Sequence, residues 1–427
     1  MQRLISVFGC VVILAIAWLL SNNKRQIDYR IVLWGLLLQF LLAVVILKTS
    51  AGHAFFFYVN AFFAKLLGFA DAGVSLLFGD LFQKTDILEQ LRGADSYQIW
   101  NPERSKFMNM GIVFALYVLP TIIFFASLMS VLYHLGLMQY LVKGTSKIMA
   151  KFIGISGAET VSVTANIFVG QIEAPLMVRP YVSEMTRSEL MTLMSSGFGT
   201  LTVGMLALYG DWGIDARHLL AASVMSALAA LVIAKIMCPE TDTPKTKSEI
   251  KITVGKDSAN LLDAAANGAV MGLKLVLNIA ATLLAFLALV AMIDFLLLKI
   301  GVLFGLENST IETILGYAFA PLALVMGVEA ADVLNFGYLM GAQISINEFV
   351  AYDQLVQWKS VLSTRSVVIG TYALCGFASF GSIAIQLGGI GGIAPDRRRD
   401  LAKLSWKAMI AGALASWLTA SMAGILV

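Results

Sequence analysis

The sequence predicts an all-α polytopic membrane protein with eight transmembrane helices, two re-entrant helical hairpins and interfacial helices, arranged as an inverted repeat. Three observations predict it. Of 427 residues, 59% are hydrophobic and only 13% are charged, outside the range of an ordinary soluble domain. Several apolar runs approach the roughly 20 residues that cross a bilayer, among them 4–20, 31–47 and 280–298. Two further apolar segments are each interrupted by glycines and an acid, and they recur in the same sequence context.

The expected spans lie at 4–20, 31–49, 110–133, 190–209, 218–237, 272–298, 366–387 and 405–426. The first follows only Arg3 and leads into SNNKR (21–25) without a small-residue cleavage site, so it reads as a retained span. With the N-terminus outside, the basic residues sort to one face: Lys24, Arg25 and Arg30; Lys143, Lys147 and Lys151; Arg179 and Arg187; Lys245, Lys247, Lys251 and Lys256; Arg397, Arg398 and Arg399. That face is then cytoplasmic, as the positive-inside rule requires, and the even span count puts both termini outside.

Between the spans, residues 52–79 are amphipathic and aromatic, as in a helix lying along an interface. Residues 80–108 are hydrophilic and fall outside, and 239–260 form a polar cytoplasmic loop. Segments 158–181 and 325–352 are expected to be re-entrant hairpins, whose unpaired tips are tolerated only within protein or a wet cavity. A loop followed by an interfacial helix is the bland alternative for each.

The hairpins anchor the repeat. After Glu173 come TRS (186–188) and SSGFGTLT (195–202); after Glu348 come TRS (364–366) and LCGFASFGS (374–382). The GF pairs at 197–198 and 376–377 are expected to break their helices. The resulting organisation is 1–140, N-terminal spans with interfacial and scaffold helices; 141–238, first repeat; 239–271, loop and approach; 272–300, scaffold helix; 301–395, second repeat; and 396–427, last span. Opposed repeats with broken helices mark secondary transporters, which bind substrate where the copies meet. An acid in such a segment is then tolerated because it faces a hydrated site.

Other classes find little support. Cys10, Cys238 and Cys375 are isolated, and His53, His134 and His218 match no zinc spacing. A membrane-embedded enzyme would have only Glu173 and Glu348 as a reactive pair, with no His or Cys beside either motif. No enzyme activity and no cofactor are expected beyond a coupling ion.

GQIEAPLMVRPY (170–181), INEFVAY (346–352) and ALCGFASFGSIAIQLGGIG (373–391) resemble signature segments of the concentrative nucleoside transporter family. The resemblance runs the length of the chain. It implies a homotrimer in a bacterial inner membrane, importing nucleosides by sodium or, in some branches, proton symport. It also implies roles residue by residue. Gln171 and Glu173 would contact the nucleobase, with Ile172 between them and Met205 near the base. Glu348 would accept from ribose hydroxyls, joined by Ser382, with Phe377 packing beside base and sugar. Sodium would take side-chain oxygens of Asn166 and Thr200 and main-chain carbonyls of Val169 and Leu201. No nucleic acid is expected as a partner; membrane lipid is.

Elementary chemistry agrees with these roles. A carboxylate accepts vicinal hydroxyls in charge-assisted bonds, a glutamine amide serves both donors and acceptors, and a hard cation takes oxygen freed where a helix unwinds. Three positions depart from the family pattern. Ile172 stands where Thr or Ser is usual, Ser379 where Asn is usual, and Gln343 where Lys often precedes NEFVA. These departures leave purine against pyrimidine preference open. Asn166, which proton-coupled relatives tend to lose, favours sodium.

Overall fold

The computed structural model describes residues 2–49, 98–101, 106–109, 119–137, 153–246, 258–303 and 310–427, with isolated positions between 52 and 77 and at 140, 143 and 144. In chain order the elements begin with α1 (Gln2–Leu19), α2 (Tyr29–Lys48), a two-stranded ribbon of β1 (Gln98–Asn101) and β2 (Lys106–Asn109), and α3 (Leu119–His134). Then follow α4 (Gly157–Asn166), α5 (Glu173–Met177), α6 (Arg179–Val182), α7 (Arg187–Gly199), α8 (Val203–Asp211) and α9 (Ala216–Met237). The chain continues through α10 (Leu261–Leu303), α11 (Ile311–Val325), α12 (Val333–Ser345), α13 (Glu348–Gln357), α14 (Thr364–Ala373), α15 (Phe380–Ile393) and α16 (Arg398–Leu426).

Four described segments are long and apolar enough to cross a membrane: Gln2–Leu19, Tyr29–Lys48, Ala216–Met237 and Pro395–Leu426. They divide by surroundings. Helix α9 and the part of α16 from Ala408 on are apolar nearly all round and buried, the pattern of helices enclosed by protein. Helices α1 and α2 instead expose Leu4, Phe8, Val11, Leu33, Leu37 and Leu41, a surface suited to lipid.

Backbone proximity divides the chain into two compact units. One comprises Tyr58–Gly136 and Lys256–Thr282. Within it, α10 approaches α3 through glycines: a Cβ on Gly268 would stand 2.6 Å from Ser130 Cβ, and one on Gly272 would stand 2.8 Å from Ala126 Cβ. Ser127 donates to the Ala265 carbonyl at 2.9 Å in the same contact. Small residues admitting close backbones are the usual basis of helix packing in lipid.

The other unit, Met1–Phe57, Leu137–Gly255 and Leu283–Val427, contains both repeats. Each repeat begins as a helical hairpin whose second arm starts on its acid: Glu173 is the first residue of α5 and Glu348 the first of α13. Each continues into a helix broken in two, α7–α8 and α14–α15. The capping residues give the register. Thr186 and Thr202 cap α7 and α8, and Ser363 and Ser379 cap α14 and α15, so sixteen residues separate the caps in both copies. The TRS triplets are therefore one residue out of structural register, because Thr186 is a cap and Thr364 is already helical.

Several sequence expectations are corrected. The first broken helix unwinds at 200–202, not at Gly197–Phe198, which stay helical. Thr200 is extended there, and Thr202 caps the helix that follows. The sixth span runs 261–303 rather than 272–298, because nothing within it breaks the helix; at 1.5 Å per residue it is about 64 Å long, roughly twice the bilayer core. Helix α11, with Pro321 inside, has no counterpart among the expected spans. The stretch 80–108 contains the ribbon strands, whose pairs include Ile99 with Met108 and Trp100 with Phe107. Most of the expected interfacial helix at 52–79, residues 110–118 of the third span, and 247–257 of the loop lie outside the described residues.

Candidate functional site

The candidate residues fall into three groups: Asn166 and Thr200 meeting on Ser196, the first hairpin tip against α15, and the second hairpin against α8. Helix α4 opens on a capping box, in which Ser156 accepts from the Glu159 amide and Glu159 accepts from that of Ser156. Helix α7 opens on the equivalent box of Thr186 and Glu189. Reciprocal caps of this kind satisfy orphan donors at both starts. The two starts are also joined, since Ser156 Oγ donates to Glu189 Oε1 at 2.6 Å. Lys235 on α9 lies 2.5 Å from Glu159 and donates to Ser188 at 2.9 Å.

At the far ends of α4 and α7 stand the expected cation ligands. Asn166 is fully buried; its Nδ2 donates to the Ser162 carbonyl at 3.2 Å and to Ser196 Oγ at 2.9 Å. Thr200 Oγ1 donates to the Ser196 carbonyl at 2.8 Å. Ser196 therefore links both residues, a role the sequence reading did not assign. Asn166 Oδ1 and Ser195 Oγ are buried without hydrogen-bond partners. Val169 is buried just beyond α4, and the Leu201 carbonyl accepts from Ser223 at 3.3 Å. No group of three or more His, Cys, Asp or Glu suited to a metal occurs among the described residues.

The first hairpin tip packs on α15. Gln171, 7% exposed, accepts at Oε1 from Gln386 Nε2 at 3.1 Å, and Gln386 Nε2 also meets the Met194 carbonyl at 3.0 Å. Ser382 stands one turn before Gln386, and its Oγ is 3.1 Å from Ser379 Oγ. A polar stripe thus runs along α15 to the tip of the other repeat. Ile172 lies against Gly389, where a Cβ would come within 2.9 Å of Ile172 Cγ2. Its bulk fills the contact with α15. Glu173 turns back on its own tip, so that a Cβ on Gly170 would stand 2.2 Å from Glu173 Oε2.

The second hairpin packs on α8 through aromatic rings. Tyr209 stacks on Tyr352 with centroids 4.2 Å apart, and Trp212 meets Phe349 edge-on at 4.6 Å. Met205, 7% exposed, lies one turn before Tyr209 on the same helix. Glu348 is buried at 5% exposure. Neither Glu348 nor Glu173 has an ion-pair partner among the described residues, so pairing with Arg179 or Arg187 does not explain these acids. Phe377 is half-buried in the second break. Gln343 is fully buried and donates to the Gly376 carbonyl at 3.2 Å, bracing the hairpin against that break. Each hairpin's second arm thus meets the second half of the other repeat's broken helix.

Comparison with known proteins decides the class. Residues 8–81 and 218–424 match the N- and C-terminal parts of the Na+ dependent nucleoside transporters, and 115–211 match a nucleoside recognition gate region. The chain belongs to the Na+ dependent nucleoside transporter family. An uncharacterized transporter, YutK of Bacillus subtilis, is 41% identical over all of both chains. Human solute carrier family 28 member 3 is 39% identical over the whole of this chain and 60% of its own length, and rat sodium/nucleoside cotransporter 1 is 38% identical over 64% of its length. The chain spans about 60% of the length of these two mammalian relatives. Among solved structures, CNTnw in an inward-facing substrate-bound state matches with a TM-score of 0.90 at 39% identity, covering 100% of this chain and 98% of that one. A CNTnw variant in an outward-facing state matches at 0.89 and 38%, with the same coverage. The predominantly helical fold is therefore that of the family, and its relatives are transporters rather than enzymes. As a member of this membrane-transporter family with this apolar surface, the chain is an integral membrane protein.

Proposed function

We propose that the protein imports nucleosides by sodium symport with alternating access. The nucleoside sits between the hairpin tips, with Gln171 and Glu173 toward the base beside Met205 and Ile172. Glu348, Ser379 and Ser382 take the ribose hydroxyls, and Phe377 packs against base and sugar. Sodium sits at the ends of α4 and α7 on Asn166, Thr200 and the carbonyls of Val169 and Leu201. Three copies assemble in a bacterial inner membrane with both termini outside.

One observation supports this reading most: Asn166 spends both amide hydrogens on protein acceptors and leaves a buried oxygen unpaired. An unsatisfied buried acceptor costs about 1–3 kcal/mol. A hard cation coordinated by that oxygen removes the cost, and it draws together the two helix ends that meet on Ser196. Cation binding thereby orders the first hairpin for the nucleoside.

The test is uptake into proteoliposomes under imposed sodium or proton gradients, competed by pyrimidine and purine nucleosides. Sodium-driven accumulation is expected, and Asn166→Leu is expected to abolish its sodium dependence. Accumulation driven by a proton gradient alone, or a variant that keeps the full sodium response, overturns the assignment.

A further inference from the structure

Gln386 occupies the middle of α15 with no exposed surface, and nothing in its local sequence other than its polarity sets it apart. Its contacts fix the orientation of two amides in succession. The Met194 carbonyl can only accept, so the Gln386 atom 3.0 Å from it must be the NH2 group. That nitrogen's second hydrogen points to the Gln171 atom 3.1 Å away, which must then be the carbonyl oxygen. Gln171 is left with its own NH2 unclaimed by any acceptor among the described residues, and that group is not among the buried unpartnered atoms.

Gly197 supports the same arrangement independently. A Cβ there would stand 2.8 Å from Gln386 Nε2 and 2.9 Å from Gln171 Cβ, so the absence of a side chain makes room for both glutamines at once. An apolar helix has no packing reason to place a fully buried glutamine opposite another. A relay that sets which end of Gln171 faces outward accounts for both residues and the glycine.

We propose that Gln386 is a positioning residue for nucleobase selection, which locks Gln171 so that it presents a hydrogen-bond donor to the base. The inference rests on the reading of Gln171 as a base contact. The ligand edge complementary to that donor is an acceptor, such as the exocyclic oxygen of uridine or inosine. The amino groups of cytidine and adenosine at the same positions are mismatched. Reversing the relay reverses the preference. In Gln386→Glu the carboxylate has no hydrogen for either neighbour and accepts from the Gln171 NH2, turning the carbonyl toward the base. In Gln386→Leu nothing holds Gln171, and its amide is free to turn.

The experiment measures binding of uridine, cytidine, inosine and adenosine to the purified full-length transporter in sodium. The readout is the uridine-to-cytidine and inosine-to-adenosine affinity ratios, which a general packing defect would leave unchanged because it weakens all four ligands alike. Gln386→Glu is expected to lower the ratio in at least one pair by about tenfold relative to wild type, the scale of one mispaired buried hydrogen-bonding group. Gln386→Leu is expected to lower it by a smaller factor, and it serves where the charged variant does not fold. Ratios unchanged in every folded variant overturn the proposal. Gln171→Ala separates the two levels. If it leaves base preference intact, the base-contact reading is wrong; if it alters preference while the Gln386 variants do not, the relay is wrong.

Discussion

Replacing Lys235 with methionine should destabilise the transporter severely. The Lys235 ammonium is 4% exposed, lies 2.5 Å from Glu159 and 3.7 Å from Glu240, and donates to Ser188 at 2.9 Å. Glu159 and Glu189 are each only 1% exposed, and Glu189 is held by neutral donors, Ser156 and Thr246 at 2.6 and 2.9 Å. Lys235 is thus the cation that compensates Glu159. Removing one partner of a buried pair costs about 3–5 kcal/mol, largely because the other charge is stranded. Thermal denaturation of the purified protein should show a large fall for Lys235→Met and partial recovery when Glu159→Gln is added, since the second change removes the stranded charge. A double-mutant cycle gives the coupling directly. A single variant that melts with the parent, or a double variant less stable than Lys235→Met alone, would refute the reasoning.

Other expectations concern the site and its supports. Gly197→Ala should weaken nucleoside binding at least tenfold while leaving the protein folded, because its Cβ meets the far end of Gln386 and the Cβ of Gln171; binding isotherms check this. Gly170→Ala should displace the Glu173 carboxylate, 2.2 Å from the added carbon, and reduce sodium-driven uptake. Gly412→Ala should lower thermal stability by about 1–3 kcal/mol through overpacking, since the new carbon would stand 2.4 Å from Phe198 Cβ. At Asp215, in the connection preceding α9, burial pushes the carboxyl up, but hydrogen bonds from the Arg217 side chain and backbone outweigh it and hold it below the usual carboxylate value. A carboxyl depressed on folding contributes stability above its unfolded pKa of about 3.9 and loses it as pH falls through the folded value. The melting-temperature gap between parent and Asp215→Asn should therefore be present at neutral pH and close in strong acid.

Hydrophobic runs made α1, α2, α9 and α16 legible because each is long, uninterrupted and apolar. The hairpins and broken helices were legible as interruptions, yet the location of the first break was not. Gly197 invited the inference of unwinding, but a glycine serves equally to admit a close neighbour, and here it does so within an intact helix. The order of the repeat was legible from the conspicuous TRS triplets, but its register was not, because the capping hydroxyls that define it are ordinary serines and threonines. Helix α11 escaped notice because it is only fifteen residues long and carries a proline. At the site, the acids and Asn166 stood out against an apolar background. Ser196 and Gln386 did not, because their importance lies in contacts made across more than one segment. Ile172 read as a missing hydroxyl, whereas the structure shows where its bulk goes, into the contact at Gly389.

The shared footing of α4 and α7 has a mechanical meaning. Two rods about 15 and 20 Å long, bolted together at one end by Ser156, Glu189 and Lys235, behave as a tuning fork rather than as independent struts. The opposite ends, which carry Asn166 and Thr200, are joined more lightly, by the single hydrogen bond from Asn166 Nδ2 to Ser196 Oγ at 2.9 Å. A sodium ion at the proposed site would then act on these lighter ends, next to the loop that bears Gln171, and leave the handle in place.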